Sequence, residues 1–180
     1  MKTYLHISVD AHQDIEEFIP RVPLHRAGGE DETRKRVCVS TSIEGCVKAA
    51  PSIWYRAYEY PSMDSHDPYQ HMSWVTTLLD HGERAGYLLK VYEFNLAEDS
   101  LVSAATLKEN NWVPDADLTD EHWIMQPVTP SRSYYILLED VKEDGQPVFN
   151  YTKFERNELG RTESYFDTFE RQCMQTNGNG

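Results

Sequence analysis

Positive charge is scarce in this chain: 17 Lys and Arg stand against 30 Asp and Glu, a formal net charge of −13. A general grip on nucleic acid is therefore not expected, because that affinity comes from Lys and Arg neutralising phosphates. Long apolar runs are also missing. No stretch of about 18 apolar residues occurs, so no segment is expected to span a membrane. Met1-Lys2-Thr3-Tyr4-Leu5-His6 shows no apolar signal core and no small-residue cleavage site, and the expected compartment is the cytosol. Cysteine is sparse. Cys38, Cys46 and Cys173 are odd in number and their spacing fits no zinc pattern, so buried thiols are expected. His66, His71 and His81 lack ligand-like spacing with carboxylates, which argues against a metal site. Neither of the two glycine-rich phosphate loops is present.

What is present suits a packed domain. The chain has 180 residues, 39% hydrophobic and 12% aromatic, enough for one core. No repeat and no linker divides it, so a single domain over residues 1–180 is expected. The acidic surplus has two readings. It is a solvated surface that aids solubility, or it is a surface that mimics nucleic acid and docks on a basic protein.

In chain order, Tyr4 to Val9 reads as a strand with His6 at its middle. Asp10 to Phe18 suggests one or two helical turns. Ile19-Pro20-Arg21-Val22-Pro23 must be extended, since each proline pushes its predecessor out of the helical region. His25 to Lys35 is a charged loop around Gly28-Gly29. Arg36 to Ser40 reads as a second strand, buried on both faces. Thr41-Ser42-Ile43-Glu44 reads as a capping box, followed by a helix with Ile43, Cys46, Val47 and Ala50 on one face and Pro51 at its end. Ser52 to Arg84 is irregular, with a helix suggested over His71–Leu79. Tyr87 to Phe94 is a strand. Asp120 to Val141 organises the rest: two apolar, aromatic-rich strands flank Pro127 and Pro130 and are expected to pair, with Glu121 opening the first where it can reach a cleft. Asp144-Gly145 suggests a hairpin between Val141 and Val148. Thr162 to Met174 has near-helical spacing, and the last residues form a frayed tail.

Three of these stretches, in order, resemble the motifs of the ADP-ribosyltransferases of the His-Tyr-Glu branch. Leu5-His6-Ile7-Ser8 looks like the first motif, Val37-Cys38-Val39-Ser40-Thr41-Ser42 followed by a helix looks like the second, and Asp120-Glu121-His122-Trp123-Ile124 looks like the third. Ser133 to Leu138 looks like the family's next core strand. The resemblance implies an α+β fold with a split, mostly antiparallel β-sheet and flanking helices, with residues 1–141 as core and 142–180 as a hairpin and helix extension. It implies NAD as substrate, Glu121 as the catalytic carboxylate, and His6, Ser8, Cys38, Ser40 and Ser42 as residues that hold the dinucleotide. Two departures stand out: Ile7 replaces the family's Gly, and Cys38 or Val39 stands where a stacking Tyr belongs. An aromatic between Trp54 and Tyr60 is a candidate replacement. The segment from Phe18 to Cys46 also looks like small proteins of bacteria and their phages.

The chemistry runs parallel to the resemblance. Breaking the bond to nicotinamide spreads positive charge over a ribose, and one placed carboxylate stabilises it. Arg21 and Arg36 could meet a pyrophosphate, since a guanidinium pairs with phosphate bidentately. The expected activity is thus mono-ADP-ribosylation of a macromolecular target, a glycosyl transfer suited to a toxin or to phage defence and counter-defence. The alternative is a non-catalytic acidic protein that holds a nucleotide or blocks a basic partner, such as a nucleic-acid-binding complex.

Overall fold

The computed structural model describes residues 1–11, 13–23, 28–50, 53, 74–79, 82–143, 146–155 and 163–164. Its strands are β1 (Lys2–Ser8), β2 (Val37–Val39), β3 (Trp74–Leu79), β4 (Gly82–Leu96), β5 (His122–Ile124), β6 (Arg132–Glu143), β7 (Gln146–Phe154) and β8 (Glu163–Ser164). Three short helices accompany them: α1 (Ile43–Lys48), α2 (Ala104–Glu109) and α3 (Ala116–Thr119). The class is α+β, and every strand pairing among the described residues is antiparallel.

β4 is the spine. Along one edge it pairs with β6, from Tyr87↔Leu138 to Glu93↔Arg132. Along the other edge its first half takes β3 and its second half takes β1. Beyond these lie β7 and β8, giving the order β7-β6-β4-β3-β8 with β1 beside β4. The central strands are apolar almost without alternation because both faces are covered. Leu89, Val91, Ile136 and Leu138 pack on one face with Ile43, Cys46 and Val47 of α1. Leu88, Tyr135 and Leu137 pack on the other with Ala11 and Phe154. Lys90 breaks that second row and is almost wholly buried. It pairs with Asp14 and donates to the Gln13 carbonyl at 3.3 Å, which fastens the segment after β1 across this face.

β2 and β5 form a second, small sheet, with Cys38 opposite Trp123. Single bridges widen it, Arg21 to Arg36 on one side and Val102 to Trp123 on the other. The two-residue strand period then separates its faces. Val37, Val39 and Ile124 turn inward onto Tyr4, Phe18, Tyr92 and Phe94. Cys38 and Trp123 turn outward beneath Leu107, Val113 and Ala116. Leu5 and Ser40 exchange backbone hydrogen bonds of 2.7 and 2.9 Å, which join the small sheet to β1.

Several sequence expectations are corrected here. The strands around Pro127 and Pro130 exist, but they do not pair with each other: β5 joins β2 while β6 joins β4 and β7. Trp74–Leu79 is a strand rather than a helix, since Val75, Thr76 and Thr77 favour extended backbone and β4 supplies a partner. The described residues of Asp10 to Phe18 form no helix. Their backbone is held instead by side chains and a bridge: the Ile15 amide donates to Tyr92 Oη at 3.2 Å and Phe18 pairs with Val128. Ser42, not Thr41, caps α1 by accepting from the Gly45 amide at 3.0 Å, and Glu44 pairs with Lys48 at 2.7 Å instead of reaching back. β6 and β7 form the expected hairpin, from Glu143↔Gln146 inward. Glu163–Ser164 lie in β8. The remainder of the Thr162–Met174 helix, Cys173, the tail, Asp144-Gly145, Arg26, the three histidines His66, His71 and His81 and the Trp54–Tyr60 aromatics lie outside the described residues.

Candidate functional site

The turn from α3 into β5 carries the two carboxylates that matter, and adjacent positions send them to different places. Asp120 ends α3 in the left-handed region, φ 53°. That conformation suits Asp better than most residues because its short polar side chain can bond locally. Its Oδ2 accepts from Ser40 Oγ at 3.1 Å, from the Thr41 amide at 2.8 Å and from the Thr41 hydroxyl. Its Oδ1 accepts from His122 Nε2 at 3.1 Å. Burial acts to raise the Asp120 pKa, but the Thr41 hydroxyl and amide and His122 outweigh it and hold the carboxyl below the usual range. The result is a polar knot joining the β2–α1 turn to the α3–β5 turn.

Glu121, one residue on, points to the outer face of the small sheet and is only 3% exposed. Its Oε1 accepts from the Trp123 indole Nε1 at 2.6 Å. Burial pushes its pKa up; the indole and the Cys38 thiol, as hydrogen-bond donors, partly offset this. The Cys38 thiol is itself raised well above its ordinary value, by burial first and then by the Glu121 charge. A carboxyl in these surroundings leans toward its neutral form and is closed off from solvent.

Arg36 completes this outer face. Its side chain is fully buried and lies over the Trp123 ring, guanidinium carbon to centroid 4.1 Å. Nη2 meets Glu30 Oε2 at 3.1 Å, and Nη1 donates to the carbonyls of Asp31 and Arg34 at 2.9 and 3.1 Å. Trp123 stacks on Trp112 with centroids 6.0 Å apart and planes 5° from parallel, and Arg34 covers the Trp112 ring at 3.8 Å. The Nε atoms of Arg34 and Arg36 and His122 Nδ1 are buried with no hydrogen-bond partner.

The sequence-designated residues thus divide. His6 lies in β1 and donates from Nδ1 to the Cys38 carbonyl at 2.8 Å, with its ring edge-on to Phe18 at 5.0 Å. Burial, the largest influence, lowers its pKa, with Arg21 adding in the same direction against the Cys38 hydrogen bond. His6, Cys38 and Glu121 therefore meet around β2, although they are distant in sequence. Arg36 faces the same side as Cys38 and Glu121 but spends its donors on Glu30 and backbone carbonyls. Ser40 and Ser42 belong to the Asp120 knot and the helix cap. Ser8 sits at the end of β1 and donates to the Asp10 carbonyl at 3.2 Å. Arg21 is exposed, on the free side of Arg36.

Asp120, Thr41 and the Trp112–Trp123 pair were not singled out from the sequence. The only local signal was Asp120 itself, a residue tolerant of left-handed backbone at a helix-to-strand junction. No group of three or more metal-ligating side chains occurs among the described residues, and no helix there is long and apolar enough to cross a membrane. Comparison of the chain with protein-family models, with curated proteins and with solved structures gives no match in any of the three.

Proposed function

We propose that the chain is an acidic binding protein that docks on a basic partner protein. The observation that carries this reading is the closure of Glu121, 3% exposed and hydrogen-bonded to an indole at 2.6 Å, where an NAD-cleaving enzyme needs its carboxylate at an open cleft. The charge pattern supplies the rest. Lys2, Arg34, Lys48, Lys108, Arg132 and Lys153 are each engaged by a carboxylate of the chain. Glu16, Glu17, Asp99 and Glu109 remain exposed, so the unneutralised surface field is negative. A partner whose own work is gripping phosphates fits that field best.

The second reading is mono-ADP-ribosylation from NAD, and one observation favours it: the three motif-like stretches converge, with His6 on the Cys38 carbonyl at 2.8 Å and the Cys38 thiol beside Glu121. One experiment separates the two. Wild-type protein and Glu121→Gln are incubated with NAD and a purified basic nucleic-acid-binding protein, and the mixture is analysed by pull-down at two salt levels and by mass spectrometry for an ADP-ribose adduct. The binding reading expects a salt-sensitive complex, equal for both proteins, and no adduct. An adduct made by wild type and lost in Glu121→Gln overturns it in favour of the enzyme.

A further inference from the structure

The outer face of the small sheet is overlaid by residues 28–35, and this segment is tied down by a small number of contacts. Gly29 takes φ 91°, a conformation that favours glycine, and packs against Pro114. The Asp31 amide donates to the Trp112 carbonyl at 2.8 Å. Arg34 lies on the Trp112 ring. Glu30 reaches inward to Arg36 at 3.1 Å, with side-chain exposures of 8% and 0%. Asp31 also organises the segment internally, since its Oδ1 accepts from the Thr33 and Arg34 amides at 2.9 and 2.7 Å. The unit is thus pre-folded as a turn, and it is fastened at two places, the Trp112 backbone and the Arg36 guanidinium.

We infer that residues 28–35 act as a strap that opens as a unit, with the Glu30–Arg36 ion pair as its latch, and that opening uncovers Glu121, Cys38 and Trp123. Three features set this segment apart from the core. It adds no residue to the buried apolar clusters, so opening forfeits little hydrophobic burial. Its internal hydrogen bonds to Asp31 survive opening, which lets it move as one piece. The buried Nε atoms of Arg34 and Arg36, both without a partner in the closed form, gain water when the strap lifts, which narrows the free-energy gap between the two states. The inference stands apart from the docking surface and from the identity of the partner.

Native-state hydrogen exchange on the wild-type protein tests it first. The strap expects the Asp31 amide, bonded to Trp112, to exchange at least tenfold faster than the amides of Leu89 and Ile136 in the core strands, and by an opening insensitive to dilute denaturant. Exchange at the core rate, or with the core's denaturant dependence, means that the segment opens only on global unfolding and overturns the proposal. The second arm is Glu30→Gln, which keeps the side chain's shape and removes the latch charge. Cys38 and Cys46 are alkylated with N-ethylmaleimide and the rates are read by peptide mass spectrometry, over several pH values to normalise for thiolate. Cys38 is expected to react at least tenfold faster than in wild type while Cys46, beneath α1, keeps its rate. An unchanged Cys38 rate, or equal acceleration of both thiols, overturns the proposal.

Discussion

Asp120 concentrates more polar contact than any other residue of the α3–β5 turn. Four donors converge on its carboxylate, two of them from Thr41. Asp120→Ala strands those donors in a half-buried setting, at a cost of about 1–3 kcal/mol, and forces alanine into left-handed backbone for about 1–2 kcal/mol more. Asp120→Asn tolerates the same φ and keeps one oxygen, so its loss is smaller. Urea denaturation should rank the proteins Asp, Asn, Ala; Asn falling as low as Ala would remove the backbone from the account. Glu121 behaves in the opposite sense with pH. Its folded pKa is raised by burial, so folded and unfolded states are equally protonated below about pH 4. Above that, the unfolded chain ionises first, and stability falls with rising pH until the raised folded pKa is passed. Glu121→Gln lacks this loss. Its stability relative to wild type should therefore improve as pH goes from about 4 to 7, read as the difference in urea midpoint at each pH. A constant difference would mean that Glu121 ionises as easily folded as unfolded. Neither role was legible in the sequence, which shows two adjacent acids and no sign of which one faces solvent; the left-handed turn between α3 and β5 decides that.

The elements themselves were legible where local chemistry and tertiary context agree. β1, β4, β6 and the β6–β7 hairpin were visible as aromatic and β-branched runs with a turn between, and α1 as an apolar stripe between a cap and Pro51. Partners were not visible. β5 and β6 are neighbours in sequence, and only the widened small sheet explains why β5 prefers β2. Trp74–Leu79 has enough apolar character for either a helix or a strand, and pairing with Gly82–Tyr87 settles it. The α1–α3 contact is also invisible locally, yet it fixes Gly45. A Cβ there would sit 2.7 Å from the Thr119 carbonyl oxygen and would collide with Ser40 Oγ. Gly45→Ala should thus destabilise the fold by about 1–3 kcal/mol through overpacking, although alanine is the better helix former by about 1 kcal/mol. A thermal midpoint equal to or above wild type would show that α1 shifts away freely. The edge segment Ile19–Pro23 makes the opposite case. Arg21 is exposed, and no hydrogen bond or ion pair of its side chain occurs among the described residues, so Arg21→Ala should leave the melting temperature unchanged within error. A clear drop would restore a structural role for it.

Net charge acts on the whole molecule and no single contact reports it. With a formal charge of −13, the folded chain gathers more negative charge into a small volume than the unfolded chain does, and self-repulsion works against folding. The Debye length shrinks from about 30 Å at 0.01 M salt to about 10 Å at 0.1 M, so added salt screens this long-range repulsion between exposed carboxylates. It also weakens the exposed ion pairs, such as Lys48 with Glu44 at 2.7 Å and Arg132 with Glu155 at 2.8 Å. Each such pair contributes little, about 0–1 kcal/mol. The buried Arg36–Glu30 contact is screened less, because both side chains are out of water. The balance therefore favours stabilisation by salt. Melting temperature should rise between 0.01 and 0.15 M sodium chloride and then level off, on the order of the Debye lengths given. Docking on a basic partner has the reverse sign, since screening removes the attraction that brings the two surfaces together. Calorimetric or fluorescence melts of the free protein, set beside pull-down yields at the same salt concentrations, check both signs at once. A melting temperature that falls as salt rises would mean that local ion pairs outweigh the net repulsion. The acidic surplus would then serve mainly to hold the fold, with little unneutralised field left for a basic partner.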